Sequence, residues 1–269
     1  MIAFQEWGNR QGKPIVALHG WLDNSATYLP LVPHLEKTFH LHAPDLPGHG
    51  ESGHTNHPGL PHFLDWVGYL RTYLESKKLS SKFLMGHSMG GAIALLYAAI
   101  FPEEVEAVIC LDSLGPFTAE ADVVVERARE YFDKKKLLEL KPERPIRTID
   151  EMIERKMAAA KMPREIAKAI VARDSRTVDG GFVWRHEKGI RLPTPLRLTE
   201  AQVRIFLSAL KCKVLLLEAD DNDVRRATFV RDRKALVSKL ESHRVGGSHY
   251  FHSEKPKEVS ELIARFLNG

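Results

Sequence analysis

Between Lys82 and Pro102 the chain reads KFLMGHSMGGAIALLYAAIFP, and no charged side chain follows Lys82 in that stretch. Residues this apolar belong inside a protein. KFLMGHS has the length and composition of a buried strand. GGAIALLYAAIFP reads as a helix of small and aliphatic residues that ends before Pro102. A buried strand running straight into a buried helix is the repeating unit of a parallel sheet with crossover helices.

The rest of the chain repeats that alternation. Further apolar runs are IAFQEW (2–7), PIVALHG (14–20), FHLHAPD (39–45), VEAVICLD (105–112), KVLLLEA (213–219) and a weaker SHRVGG (242–247). Helical patterns at 62–78 and 256–268 lie among them. The pattern predicts an α/β fold with a mostly parallel central sheet flanked by helices. It breaks between Pro116 and Leu210, where AEADVVVERAREYFDKKKLLEL, TIDEMIERKMAAAK, PREIAKAIVARD and TEAQVRIFLSAL are charged and amphipathic. GGFVWRHEKGIRL (180–192) reads as a short hairpin with its turn near Lys188-Gly189. The expected organisation is a core of residues 1–115 and 211–269, with a mainly helical cap, 116–210, inserted between two strands.

Composition narrows the function classes. The net charge of +4 is spread along the chain, with no basic run interleaved with aromatics, which excludes nucleic-acid binding as a main role. Lys134-Lys135-Lys136, flanked by Glu130, Asp133 and Glu139, reads as a solvated helix face. Cys110 and Cys212 sit in or beside predicted buried strands and are expected to be reduced, as in an intracellular compartment. No signal pattern opens the chain and no apolar run is long enough to span a membrane, so a cytoplasmic location is expected. Oligomeric state is not readable. The loop histidines His49, His54, His57 and His62 have no cysteine among them and no helical His-x-x-x-His pair; they read as solvated or cap-facing, and no metal or cofactor is expected.

Gly86-His87-Ser88-Met89-Gly90 has the Gly-x-Ser-x-Gly spacing of a nucleophile elbow, and its place between strand and helix is the context an elbow requires. A serine hydroxyl needs a base to take its proton. GGSHYFHSEKP (246–256), after the last strand, offers His249, with His252 as the competing candidate. An oxyanion needs backbone donors already in place. Met89 N–H at the helix start and Trp21 N–H after His19-Gly20 are the expected pair. His87 reads as a packed neighbour of the nucleophile.

Taken together, HGWLDN (19–24), APDLPGHGES (43–52), GHSMGG and GSHYFHSEKP resemble the α/β-hydrolase fold family in order and spacing over nearly the whole chain. HGWLDN and RLPTPLRLTEAQV (191–203) are most similar to the serine hydrolase-like proteins. Relative to that family the chain opens in the second of the usual eight strands. Haloalkane dehalogenases and epoxide hydrolases of the fold use an aspartate where this chain has Ser88, so the resemblance implies acyl transfer to water through an acyl-enzyme. It also implies a carboxylate to orient His249. Asp112, at the end of the strand before the insertion, is the first candidate. Asp221 and then Asp223, in the loop after KVLLLEA, are the alternatives. The expected activity is hydrolysis of esters or related acyl compounds, small-molecule substrates handled without a cofactor. The rivals are a C–C bond hydrolase of ring-cleavage products and a ligand-binding member with little turnover. Phe117, Tyr131, Phe132, Phe182 and Trp184 are candidates for an acyl pocket or for the cap's own core. Arg185, Arg191 and Arg197 are candidates for holding an anion, or for ordinary salt bridges.

Overall fold

The computed structural model describes residues 2–54, 62–79, 82–142, 144–220 and 230–269. Among these residues nine strands form: β1 (Phe4–Gly8), β2 (Lys13–Leu18), β3 (Phe39–Pro44), β4 (Phe83–His87), β5 (Ala107–Leu111), β6 (Ser175–Val178), β7 (Gly181–Trp184), β8 (Lys213–Ala219) and β9 (Leu240–Val245). Seven of them make one sheet in the order β1-β3-β2-β4-β5-β8-β9. Only β1 runs antiparallel; every other pairing is parallel. All seven apolar runs singled out in the sequence are strands of this sheet.

Alternate residues of the central strands feed two cores, as the pleat dictates. On one face Val16, Leu18, Leu84, Val108 and Leu216 pack beneath α2 (Phe63–Lys77) and α3 (Met89–Ile100). On the other, Ile15, Ala17, Leu41, Ile109 and Leu215 pack beneath α1 (Val32–Leu35) and the C-terminal helix Pro256–Asn268. Cys110 and Cys212 are both buried free thiols. Their side chains join the first core, where burial pushes the Cys212 thiol up to about 11.

Between β5 and β8 the chain forms α4 (Val124–Leu140), α5 (Ile149–Ala160), α6 (Arg164–Asp174) and α7 (Glu200–Ser208). Helices α5 and α6 bury Met152, Ile153, Ile166 and Ile170 in a third, smaller core. The hairpin of this segment is not where the sequence pattern put it. Strand β7 pairs backward with β6, and Lys188–Arg191 is a 3-10 turn. Asp179-Gly180 makes the reversal, with Gly180 at φ +83° and Gly181 at φ +142°. Asp-Gly is a strong tight-hairpin signal, and it outweighs the looser Lys-Gly turn. Among the described residues no helix is long and apolar enough to cross a membrane.

Where β4 meets α3, the backbone has no room to spare. A Cβ on Gly86 would lie 2.2 Å from Gly90 C, and one on Gly90 would lie 1.9 Å from Leu18 O, at the end of β2. Neither glycine has a positive φ; the need is for close approach. Gly90→Ala is therefore expected to destabilise the protein by more than about 3 kcal/mol. Gly68, on the exposed side of α2, has nothing within 4 Å of its Cβ position. Gly68→Ala should stabilise by roughly 0.5–1 kcal/mol. Urea denaturation of both variants checks the pair, and equal effects would refute the assignment.

Among the described residues five histidines are buried as well: His19, His42, His49, His87 and His252. Burial lowers the pKa of each, His42 to about 4 and His252 to about 3. Each therefore takes up a proton less readily in the folded chain than in the unfolded chain, which does so near pH 6.5. The unfolded state thus binds more protons below that pH, and stability falls as pH drops from about 6.5 toward 4. The slope is at most about 1.4 kcal/mol per pH unit for each histidine. Urea midpoints at pH 7, 6 and 5, above the range where carboxylates titrate, should decline steadily. A flat profile would rule the effect out.

Candidate active site

Ser88 stands at the carboxyl end of β4 with φ 51° and ψ −113°, conformationally costly for a residue with a Cβ. Its N–H donates to Leu111 O at 3.0 Å, which ties the turn to the end of β5. His87, one residue earlier, is buried, and its N–H donates to the Tyr28 hydroxyl at 3.1 Å. That hydroxyl in turn donates to Leu18 O at 2.6 Å. The ends of β2, β4 and β5 are thus fastened together beneath the serine.

Asp112 follows β5 directly, at φ 58° and nearly buried. Its N–H donates to Leu217 O at 2.7 Å, and its Oδ1 accepts from Ala219 N–H at 3.0 Å, so β8 holds both backbone and carboxylate. Its Oδ2 lies 2.5 Å from His249 Nδ1. A carboxylate only accepts, so Nδ1 carries the proton and Nε2 is left as the basic nitrogen. The His249 carbonyl accepts from His87 Nε2–H at 2.9 Å. His252 lies elsewhere: it is fully buried, and its Nε2 is 3.1 Å from Thr27 Oγ1. Asp221 and Asp223 fall outside the described residues.

Met89 is the first residue of α3, where backbone N–H groups have no acceptor within the helix. Trp21 enters the site on the loop after β2. His19 Nε2 accepts from Leu46 N–H at 2.9 Å, leaving Nδ1–H to donate to Gly20 O at 2.7 Å. Leu22 is held at φ 60° and its carbonyl accepts from Lys156 Nζ at 2.6 Å. The same ammonium lies 2.8 Å from Asp23 Oδ1, while Tyr250 OH donates to Asp23 Oδ2 at 3.0 Å. The Trp21 indole donates to Ile190 O at 2.7 Å. Lys156 and Ile190 both belong to the 116–210 segment, so that segment positions the Trp21 loop.

Lys156 escaped the sequence reading, yet it carried a signal. It falls on the buried stripe of α5 with Met152 and Ile153, the one charged residue there. A lysine on an apolar helix face needs a buried partner.

Ser88, Met89, Trp21, Asp112 and His249 open on one cavity of about 570 Å³. Phe63 and Trp66 of α2 and Leu114 line it from the core, and Phe117, Leu192 and Leu196 from the other segment. Arg191, Arg197 and Lys134 also reach it. Lys134 is exposed and pairs with Glu130 one turn away on α4. Of the other aromatics considered, Phe182 and Trp184 pack against the third core, Tyr131 is buried and Phe132 is exposed. Arg185 instead donates to Ser175 O at 2.8 Å.

Among the described loop histidines none converge, and His49 is fully buried against Trp66 rather than solvated. His49 lies 3.2 Å from Pro47 O, His54 lies 3.0 Å from Arg185 O, and His62 caps α2; His57 is outside the described residues. Among the described residues one group has metal-ligating spacing: Glu6, His40 and His42, on paired strands β1 and β3. Each imidazole has a nitrogen 3.9 Å from Glu6 Oε2. Arg10 already pairs with Glu6 at 2.5 Å, and the two rings are joined at 3.1 Å.

A family model described as alpha/beta hydrolase fold matches residues 13–135. A serine hydrolase-like protein of Danio rerio is 33% identical over 278 residues, covering 98% of this chain and 84% of that protein. The one from Mus musculus is 30% identical, covering 100% and 92%. Among solved structures, a hypothetical protein from Pseudomonas aeruginosa PAO1 superposes with a TM-score of 0.90 at 29% identity, over 100% of this chain and 95% of that one. Sheet order, helical layers and these similarities agree: the chain belongs to the serine hydrolase-like proteins of the alpha/beta hydrolase fold.

Proposed function

We propose that this chain hydrolyses esters or thioesters through an acyl-enzyme on Ser88. The observation that carries the reading is the Asp112–His249 bond of 2.5 Å, made at the rim of the cavity that Ser88 lines. His249 Nε2 takes the Ser88 hydroxyl proton as Oγ bonds to the acyl carbon. The oxyanion sits against the Met89 and Trp21 amides; a donor of this kind is typically worth about 2.7–4 kcal/mol in the barrier. Collapse breaks the bond to the leaving group, which receives the proton from His249. Water then repeats the sequence: it loses a proton to His249, attacks the acyl carbon, releases the acid and returns the proton to Ser88. Asp112 holds the imidazole tautomer and stabilises the imidazolium throughout. Residues 116–210 act as a cap that walls the cavity and keeps the Trp21 loop in position.

Rates on a p-nitrophenyl ester series of increasing acyl length test this. Turnover on short or medium esters is expected, with Ser88→Ala reducing it to background. Asp112→Asn should lower kcat by about 10⁴-fold, because the wrong tautomer is then favoured. An Asp112→Asn variant as fast as the parent would move the acid to Asp221 or Asp223. A parent no faster than Ser88→Ala on every ester would sink the esterase reading and bring forward C–C bond hydrolysis or ligand binding without turnover.

A further inference from the structure

The cavity has an uneven distribution of charge. Among the described residues that line it one is acidic, Asp112, already engaged by His249 and the Ala219 amide. Arg191, Arg197 and Lys134, all from the 116–210 segment, also line it. Lys134 is paired with Glu130 at 2.5 Å. Among the described residues neither Arg191 nor Arg197 has a carboxylate partner. Arg197 is half-buried, and both its burial and the neighbouring Arg127 disfavour its charge. Arg127 donates to Thr194 O at 2.8 Å, at the cavity wall, while its buried Nε has no partner.

A half-buried guanidinium such as Arg197, set beside a second one, Arg127, is costly unless an anion joins it. Arg191 is exposed beside the same cavity. A guanidinium offers a planar fork that matches a carboxylate or a phosphate in two bonds. Phe117, Leu192 and Leu196, from the same segment, supply apolar surface to the cavity. A substrate that carries a reactive carbonyl, an apolar portion and an anion matches this set of surfaces.

From this juxtaposition we infer that the natural substrate carries a carboxylate or phosphate on its acyl part, remote from the scissile carbonyl, and that Arg197 receives it with help from Arg191. The inference rests on the acyl-hydrolase reading for the orientation of the substrate. Arg197 is a specificity determinant here and takes no part in bond making.

The experiment compares three p-nitrophenyl esters on the whole chain: the hexanoate, the adipate half-ester and the 5-phosphonopentanoate. Either anionic ester should exceed the neutral one at least tenfold in kcat/KM, mostly through KM, and the better of the two tells carboxylate from phosphate. Arg197→Gln should cut that ratio at least fivefold, and Arg197→Lys should keep part of it. The ratio is taken within each variant, so a general loss of folded protein cancels. Hydrolysis of all three within twofold of one another, with the ratio unmoved by Arg197→Gln, overturns the inference and leaves the hydrolase reading intact. If no ester turns over, the hydrolase reading has failed, and calorimetric titration of the Ser88→Ala chain with the same compounds decides separately. Tenfold tighter binding of an anionic compound, weakened by salt, upholds the anion site; equal binding or none overturns it.

Discussion

Everything at the site depends on how closely the first turn of α3 approaches the ends of β2 and β4. Gly90 lies against Leu18 O with no space for a methyl group, and Gly86 lies equally close to Gly90. That approach forces the chain to reverse within one residue, and the residue at the reversal is Ser88, at a positive φ. Its side chain is thereby turned toward the cavity, and Met89 is left at a helix N-terminus where the backbone dipoles favour negative charge. A bulkier residue at Gly90 would move the helix away from the sheet and take the turn with it.

The second dependence is polar. The 116–210 segment is joined to the core through buried ionic contacts at places that also shape the cavity. Lys156 holds Asp23 and Leu22 O beside the Trp21 loop. Arg173 reaches Asp45 at 2.8 Å and Glu51 at 2.8 Å, in the APDLPGHGES loop. Arg233, fully buried, bonds the carbonyls of Leu114 and Pro116 at 3.0 Å and pairs with Glu200 of α7 at 2.6 Å. Buried pairs contribute little net stability against an apolar alternative, but removing one partner strands a charge. Each is a direct contact between residues far apart in the chain, with Asp23, Asp45 and Arg233 buried and Glu51 and Glu200 partly exposed.

Legibility followed the range of the interaction responsible. Strand runs and helix patterns are local, and all seven sheet strands were readable from apolar stretches of a few residues. Hairpin placement was less so: Asp179-Gly180 competes with Lys188-Gly189, and only the pairing of Ser175 with Trp184 shows which turn is used. The aromatics of the insertion were not sortable either. Phe117 lines the cavity while Phe182 packs on the third core formed by α5 and α6, a division that no periodicity in the chain encodes. Glu6, His40 and His42 are unremarkable in sequence and become a cluster only through the β1–β3 register.

By itself the sequence determined the alternating α/β order, the elbow at Ser88 and the presence of histidines after the last strand, because each is written within a few consecutive residues. It left three aspartates open as partners for His249. Tertiary structure brought Asp112 to that imidazole, since the end of β5 lies between β4 and β8 and the β8 amide of Ala219 holds the carboxylate in place. It likewise seated His252 in the core and put Arg191 and Arg197 at the cavity. Spacing along the chain carries no information about such meetings: His249 and Asp112 are 137 residues apart, and only the crossing order of the sheet makes them neighbours.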